Sequence, residues 1–246
     1  MSAAFAWSSA AATHVGHVRQ INEDAYCARP DIGLWAVADG LGGHSSGDVA
    51  SQMVVAGLAR LKPQPQLSLM VDFIEHSLLE SNARLMTLAG NTQTIGSTVI
   101  ALTVLGEYAA YLWVGDSRLY RYRNGDLRQL STDHSQVERY IEQGLLLRAN
   151  AAAHPQGHLL TRAIGARDEL RVDLDMCTLQ AGDRFLLCSD GLDKHVTPDE
   201  IAAMLAQGEA TAVTTALLEL TLERGAADNV TLCIVDIRHA DDPGIG

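Results

Sequence analysis

Four aspartates lie where apolar, strand-like runs meet small or polar residues. They are Asp39, Asp116, Asp190 and Asp228, and the residues that follow them are Gly40, Ser117, Gly191 and Asn229. A carboxylate at the end of a buried strand is costly to desolvate unless a cation neutralises it. Any one of these pairs alone favours a simple turn. Four of them in one chain, each beside an apolar run, instead favour a shared site for Mg²⁺ or Mn²⁺, which prefer oxygen ligands.

Glycine after Asp39 and after Asp190 has a physical use at a metal site. It lets the backbone come close to an ion, so that a backbone carbonyl can serve as a further oxygen ligand. Two metal ions about 3.5–4 Å apart can hold a bridging water as hydroxide and clamp an oxyanion for in-line attack. The pattern therefore predicts chemistry on phosphate esters, whose negative charge the metal ions would offset.

A phosphate also favours an arginine, because a guanidinium group binds two oxygens at once. The candidates are Arg19, Arg118 and Arg162. We prefer Arg19, since it lies just before the acidic cluster Asn22-Glu23-Asp24, which could itself face the metal ions. The alternative for Arg19 is a surface ion pair with Glu23 or Asp24.

The elements that must position these residues follow from hydrophobic periodicity. Helical spacing predicts helices at about 47–61, 67–88, 134–144, 198–207 and 210–224. Strands are predicted at about 97–105, 108–114, 119–123, 127–130, 171–178, 184–188 and 230–237, with a hairpin turn at Asn124-Gly125. Runs of strands interrupted by paired helices predict an α+β fold: a four-layer αββα sandwich of two antiparallel sheets flanked by helix pairs.

Composition narrows the class of protein. The chain has 246 residues, of which 47% are hydrophobic, and is expected to form a single domain over about 8–240. A formal net charge of −12 argues against nucleic acid or an anionic membrane as partner. No apolar run is long enough to span a membrane, and the N-terminus lacks the features of a signal peptide. The four scattered cysteines lack zinc-site spacing, so we expect reduced thiols in a cytoplasmic monomer.

Eight short motifs in a fixed order carry a family resemblance. They are Gly16–Asp24, Val37–His44, Thr94–Thr98, Val114–Arg118, Thr132–Ser135, Leu160–Gly165, Ser189–Leu192 and Asp228–Thr231. Over residues of about 13–237, the chain resembles the bacterial branch of the metal-dependent PP2C-type (PPM) serine/threonine protein phosphatases. The resemblance implies the four-layer sandwich and hydrolysis of phosphoserine and phosphothreonine by direct attack of a metal-activated water, without a phosphoenzyme intermediate.

The resemblance also implies a role for each site residue. Asp39 would bridge two Mn²⁺ or Mg²⁺ ions, the Gly40 carbonyl would ligate one of them, and Asp190 and Asp228 would complete the tightly bound pair. Asp116, together with Asp190, would hold a third and weaker metal ion. Arg19 would bind the substrate phosphate. Glu23 and Asp24 would lie beside the metal ions, mostly through waters.

Two places depart from the family pattern. Leu41 stands where eukaryotic relatives have a histidine proposed as general acid, and His44 follows three residues later. His44 is either the proton donor or a polar loop residue, and a metal-bound water is the other candidate donor. Residues of about 135–160 correspond to a flap that can set substrate choice. Within it, His154 and His158 are expected to pack rather than to ligate metal.

Three functions remain open from the sequence. The first is a phosphatase of phosphoserine and phosphothreonine proteins, with a cognate serine/threonine kinase and its substrates as partners, in a pathway that could control type VI secretion. The second is a metal-dependent hydrolase of small phosphate esters. The third is a catalytically inactive regulatory module, which predicts loss of the carboxylates or of Arg19, whereas all of them are present.

Overall fold

The fold is built from eleven strands and six α-helices in the part of the chain that the structure describes. In this computed structural model, the described residues are 5–42, 46–90, 95–151, 154–157 and 159–241. The strands are β1 (Phe5–His14), β2 (Asp24–Arg29), β3 (Leu34–Leu41), β4 (Gly96–Ser97), β5 (Val99–Leu105), β6 (Tyr108–Val114), β7 (Arg118–Arg123), β8 (Asp126–Gln129), β9 (Asp173–Thr178), β10 (Arg184–Cys188) and β11 (Val230–His239). The helices are α1 (Gly47–Ala59), α2 (Leu67–Ala89), α3 (Gln136–Glu142), α4 (Asp190–Asp193), α5 (Pro198–Leu205) and α6 (Ala210–Glu223).

The strands form two antiparallel sheets. One has the order β1-β11-β10-β7-β8, and the other has the order β2-β3-β5-β6-β9, with β4 pairing beside β3. Helices α1 and α2 pack on the second sheet, whereas α5 and α6 pack on the first. This arrangement confirms the predicted four-layer αββα sandwich.

The alternation of side chains between the two faces of each strand divides the core into three layers, and β3 contributes to two of them. In β3, Leu34, Ala36 and Ala38 pack in the cluster beneath α1 and α2. Trp35 and Val37 point the other way and pack between the two sheets. Because successive side chains of a strand point to opposite faces, a sheet covered on both sides needs apolar residues at almost every position. The continuous apolar runs of the sequence therefore reflect burial on both faces.

Most predicted elements lie within a few residues of those observed, and the hairpin is confirmed. Asn124 and Gly125 have φ values of 52° and 86°, and they join Arg123 and Asp126, which pair across β7 and β8. Two positive φ values in a two-residue loop match the right-handed twist of the strands. All four cysteines are free thiols, as predicted. Among the described helices, none has both the length and the apolar character to cross a membrane.

The structure differs from the sequence prediction in several features, and strand β2 and the short helix α4 were not among the predicted elements. Strand β1 was not predicted, because its Ala- and Ser-rich sequence lacks the alternation of large apolar residues, yet it pairs with β11 over its full length. It begins at Phe5, ahead of the predicted boundary at residue 8. The predicted strand 97–105 is interrupted at Thr98, whose backbone N–H donates to the Asp39 carbonyl (2.8 Å). The predicted helix 134–144 begins at Gln136, because Ser135 is its N-cap and accepts from the Glu138 N–H (3.1 Å).

The layer between the sheets should dominate stability. Phe185 is fully buried there, so Phe185→Ala should lower the free energy of unfolding by about 3–5 kcal/mol through lost burial and a new cavity. Urea unfolding followed by circular dichroism measures the change. The control is Leu174→Ala on β9, where the side chain is 52% exposed. Equal losses in the two variants would contradict the assignment of the core.

Candidate functional site

Two carboxylates face each other where β2 begins and β3 ends. Asp24 and Asp39 are direct partners in the antiparallel register, a placement that is unfavourable for two like charges. Asp24 is buried, and its Oδ2 accepts from the Ser189 hydroxyl (2.7 Å). Its other oxygen, Oδ1, is buried without a hydrogen-bond partner within the described residues. This pair of strands thus presents more buried negative charge than the protein neutralises there.

The pKa values of these carboxyl groups reflect the same shortage of positive charge. Burial, and then repulsion from Asp190 and Asp228, raises the pKa of Asp24 to about 7, although bonds from Ser189 and Thr231 oppose the shift. Burial and the charges of four neighbouring aspartates raise the pKa of Asp39 well above its usual range. Burial, followed by the charge of Asp190, raises the pKa of Asp116 to about 7. A divalent cation bound among them would offset this repulsion.

Thr98 connects the Asp39 strand to the Asp116 turn. The Asp39 N–H donates to Thr98 Oγ1 (3.0 Å), and that oxygen also shares a hydrogen bond with Ser117 Oγ (2.6 Å). Ser117 follows Asp116 directly, in the turn between β6 and β7. The break in the predicted strand at Thr98 therefore serves to hold two of the predicted metal ligands in a fixed relation.

Position 40 requires glycine, because two other backbone segments lie very close to it. A Cβ atom on Gly40 would lie 2.0 Å from the Gly47 carbonyl oxygen and 2.6 Å from that of Glu23. The Gly40 N–H donates to the same Glu23 carbonyl (3.0 Å), and the Gly47 N–H donates to Glu23 Oε1 (3.2 Å). The start of α1 is thereby packed against the end of β3, where Gly40 follows Asp39.

Asp190 lies just after β10 and Asp228 just before β11, and the fold brings these two segments together. A Cβ on Gly191 would lie 1.9 Å from the Asn229 carbonyl oxygen, so these two segments also touch through backbone. Lys194 Nζ lies 2.6 Å from Asp190 Oδ2 and 3.1 Å from Asp228 Oδ2. Burial tends to raise the pKa of Asp228, but Lys194, the Asn229 N–H and Arg19 outweigh it and lower that pKa.

The sequence analysis assigned no role to Lys194. The signal that could have indicated one was its position four residues after Asp190, a spacing that lets a lysine on a helix reach an acidic residue one turn earlier.

Arg19 lies beside Asp228 and not beside Glu23 or Asp24, which the sequence analysis named as its alternative ion-pair partners. Its Nε is 2.9 Å from Asp228 Oδ1, and its Nη2 is 3.2 Å from Oδ2, so the alternative of an ion pair with Glu23 or Asp24 was wrong. The Arg19 side chain is 51% exposed, which leaves its guanidinium open to a ligand. Salt bridges at this exposure contribute little to stability, so Arg19 is free to exchange partners at small cost.

Asn229 holds the loop that carries Arg19, a role that the sequence analysis missed. Its side-chain nitrogen donates to the carbonyls of Val15 (2.9 Å) and Ile21 (3.0 Å), and its Oδ1 accepts from the Glu23 N–H (2.8 Å). The two halves of the loop are thus fastened to the residue next to Asp228. Its place in the Asp228-Asn229 motif was the only signal for it in the sequence.

The other two arginine candidates are engaged in the fold. Arg118 bonds both oxygens of Asp133 and also contacts Asp193 at 2.8 Å. Arg162 pairs with Asp173 at 2.5 Å. Of the three candidates, Arg19 is the most exposed, since the side chains of Arg118 and Arg162 are 26% and 28% exposed.

Of the three histidines that the sequence analysis singled out, one lies within the described residues. His154 packs edge-on against Tyr140, with ring centroids 5.6 Å apart, and its Nδ1 accepts from the Gln156 N–H. His44 and His158 lie outside the described residues, so the proton-donor role of His44 stays a prediction.

The donor set fits a hard divalent cation. Within the described ranges, no group of three or more His, Cys, Asp or Glu side chains is poised to hold a metal ion, and Lys194 and Arg19 engage Asp190 and Asp228. The residue types are nevertheless those of an oxygen-ligated site: aspartates from several strand ends, with raised pKa values, an unpartnered Asp24 oxygen and a backbone cradle at Gly40. Rotation of the long Lys194 side chain would free Asp190, and Asp228 would be freed only if Arg19 also left it.

Comparison with known proteins decides the family. The model for "Protein phosphatase 2C" matches residues 13–224. The chain belongs to the protein phosphatase 2C family. It is 36% identical to the serine/threonine protein phosphatase PstP of Mycobacterium tuberculosis over 235 residues, which are 94% of this chain and 45% of PstP. The chain thus spans about half the length of that curated relative.

Solved structures of the family agree with the fold. PppA, described as a key regulatory component of T6SS in Pseudomonas aeruginosa, superimposes with a TM-score of 0.87 at 38% identity, covering 94% of this chain and 98% of PppA. The catalytic domain of PstP in complex with two manganese ions gives a TM-score of 0.85 at 33% identity, covering 95% of this chain and 99% of that domain. The two manganese ions bound to the catalytic domain of PstP agree with the set of oxygen donors described above.

The raised pKa of Asp24 predicts an unusual dependence of stability on pH. Its pKa of about 7 in the folded chain compares with about 3.9 in an unfolded chain, so the folded chain binds more protons between those pH values. Stability therefore falls as pH rises from about 4 to 7. Asp24→Asn keeps the acceptor for Ser189 and removes the charge, so in EDTA it should be more stable than wild type at pH 7.5, with a smaller difference at pH 5.

Thermal unfolding in EDTA at the two pH values measures this difference. Asp126→Asn, an exposed aspartate at the start of β8, is the matched control and should follow wild type at both pH values. A constant difference between Asp24→Asn and wild type would show that Asp24 is already ionised at pH 5.

Proposed function

We propose that this chain is a Mn²⁺- or Mg²⁺-dependent phosphatase that hydrolyses phosphoserine and phosphothreonine in proteins by direct attack of water. The observation that carries the proposal is the convergence of buried and half-buried aspartates from several strand ends beside one exposed arginine. Membership of the protein phosphatase 2C family and the manganese-containing relative support the same reaction.

In this proposal Asp39, Asp190 and Asp228 hold two divalent ions, together with the Gly40 carbonyl. Asp116 and Asp190 hold a third and weaker one. When bound, the ions lower the pKa of a water molecule so that it is nucleophilic near neutral pH, and they offset the charge of the phosphate. Asp24 and Glu23 contribute negative charge and hydrogen-bond acceptors behind the ligands, and Ser189 and Gly47 fix these two side chains in place.

Arg19 binds and orients the phosphate. Its two nitrogens lie side by side on Asp228, so the same pair can bind two phosphate oxygens once the arginine turns toward the substrate. Because Asn229 fastens the loop at Val15 and Ile21, the arginine is presented from a fixed backbone. The fixed loop would contribute to catalysis by orienting the phosphorus atom for in-line attack by water.

Exposed apolar residues favour a protein substrate over a small phosphate ester. Val18 and Ile21 flank Arg19 and are 68% and 44% exposed. A protein segment that carries the phosphorylated residue would cover these side chains, whereas a small ester would leave them in water.

We also propose that the partners are phosphoproteins controlled by a cognate serine/threonine kinase. The similarity to PppA over nearly the whole length of both chains supports a place in T6SS control, because PppA is described as a regulatory component of that system. A monomer acting in the cytoplasm fits this proposal.

The reaction and its metal dependence are tested together. The purified chain should release phosphate from a phosphothreonine peptide with added Mn²⁺ and not with EDTA. Asp39→Asn and Asp190→Asn should each lower kcat on the order of 100-fold or more, because each removes a charge that binds metal. Asp126→Asn should retain wild-type turnover. Full activity in either site variant would contradict the assigned metal site.

Comparing substrates separates the proposed function from its alternatives. A higher kcat/KM on phosphopeptides than on small phosphate esters supports the protein phosphatase, and the reverse order supports the small-ester hydrolase. Metal binding measured by calorimetry, without turnover of either substrate class, would support the regulatory module.

Arg19→Ala should chiefly raise KM. Loss of two charge-assisted hydrogen bonds to phosphate, each worth about 1.5–3 kcal/mol, predicts an increase of at least about tenfold. Steady-state kinetics on the phosphothreonine peptide measure the change. The control is Arg29→Ala, which loses an ion pair with Asp31 at the other end of β2. An unchanged KM in Arg19→Ala would assign phosphate binding to another residue.

A further inference from the structure

Lys194, one of only two lysines in the chain, lies against two of the proposed metal ligands. Its Nζ lies 2.6 Å from Asp190 Oδ2 and donates to Asp228 Oδ2 (3.1 Å). Both contacts join a cation to a carboxylate, which is the stronger class of hydrogen-bonded pair. Because the two aspartates come from different segments of the chain, the lysine bridges the end of β10 and the beginning of β11.

Hydrogen bonds on both sides of Lys194 fix the backbone from which it reaches these aspartates. Its own N–H donates to the Asp190 carbonyl (3.2 Å) at the end of α4. The next residue, His195, accepts at Nε2 from the Ala227 N–H (3.2 Å), and Ala227 directly precedes Asp228. The segment that carries the lysine is therefore fastened to the segment that carries the second aspartate, so the bridge is built into the fold.

The other charged groups around Lys194 divide between two arginines. Asp193 pairs with Arg118 at 2.8 Å. Arg19 shares Asp228 with the lysine, since its Nε lies 2.9 Å from Oδ1. Among the described residues, the ion pair of Asp190 is the one with Lys194. The charge of the lysine is therefore directed at carboxylates that the proposed function assigns to metal.

A lysine in this position works against the binding of a divalent ion. An ammonium group is charged at neutral pH, and it repels a second cation beside the same carboxylate. Binding of an ion by Asp190 and Asp228 therefore includes the free-energy cost of separating Lys194 from them. In the absence of an ion, the same contacts stabilise the folded chain, because they offset the repulsion between the two carboxylates.

We propose that Lys194 is a built-in competitor of the divalent ions, which pairs with Asp190 and Asp228 and weakens the binding of metal to them. The inference rests on the proposed function, in which these two aspartates are metal ligands. Binding of the ions and release of the ammonium group are then a single exchange of cations. The lysine thereby sets the concentration of free Mn²⁺ that the chain needs before its site is filled.

Calorimetric titration with Mn²⁺ tests the competition directly. Lys194→Met removes the charge and keeps an unbranched side chain, so it should bind the two tightly held ions about tenfold more tightly than wild type, because no ammonium group has to leave. Lys194→Arg keeps the charge and should bind Mn²⁺ more like wild type than like Lys194→Met. Lys62→Met is the matched control, since it changes the other lysine, which is exposed between α1 and α2, and it should bind as wild type does.

Thermal unfolding gives a second readout, which a general loss of structure would not reproduce. In EDTA, Lys194→Met should have a lower Tm than wild type, because Asp190 and Asp228 lose the cation that they share. With saturating Mn²⁺ the difference should become small, since the ions then offset the charge of both aspartates in either chain. The rise in Tm on addition of Mn²⁺ should therefore be larger in the variant than in wild type.

Weaker or unchanged Mn²⁺ binding in Lys194→Met would overturn the inference, as would a difference in Tm that persists at saturating Mn²⁺. Lys194→Gln is a second neutral variant and should reproduce the tighter binding even if Lys194→Met does not fold without metal. A wild-type chain that binds Mn²⁺ but releases no phosphate from the phosphothreonine peptide would contradict the proposed reaction and leave the competition standing. A wild-type chain that binds no Mn²⁺ would contradict both.

Discussion

Repulsion among buried and half-buried carboxylates is the constraint on which this structure depends. Asp24 and Asp39 face each other across two strands, and Asp116, Asp190 and Asp228 add negative charge from three further segments. A protein interior does not tolerate such a concentration of charge without cations, because the free energy of desolvation exceeds what scattered hydrogen bonds return. Lys194 and Arg19 neutralise one side of the cluster, and the proposed divalent ions neutralise the rest.

The four-layer sandwich explains how this charge can be held in place. Apolar clusters cover both faces of the two sheets, so the positions of the strand ends are set by the packing of Trp35, Phe185 and their neighbours. At the strand ends the backbone segments touch directly at Gly40 and Gly191, where no side chain fits between them. The stability of the fold comes from its buried apolar layers. The repulsion among carboxylates is confined to one edge of the sandwich, where water and ions have access.

The turn that carries Asp116 is held from two sides. Thr98 accepts from the Asp39 N–H and shares a hydrogen bond with Ser117, and the His134 ring accepts from the Gly115 N–H. These contacts fix the Asp116 turn relative to the end of β3, because each of them joins segments that are separate in the chain.

The sequence alone determined the type of chemistry, the order of most elements and the family. Continuous apolar runs and helical spacing revealed the sandwich, and the Asp-Gly, Asp-Ser and Asp-Asn pairs marked its chemical edge, because these are local features of neighbouring residues. Strand β1 was hidden, since its small residues gain their strand conformation from pairing with β11, more than 200 residues away. Only the tertiary structure decided that Arg19 faces Asp228, that Asn229 fastens its loop, and that His134 bonds Gly115. Each of these contacts joins residues distant in the chain, and local pattern carries no information about which distant partner the packing will supply.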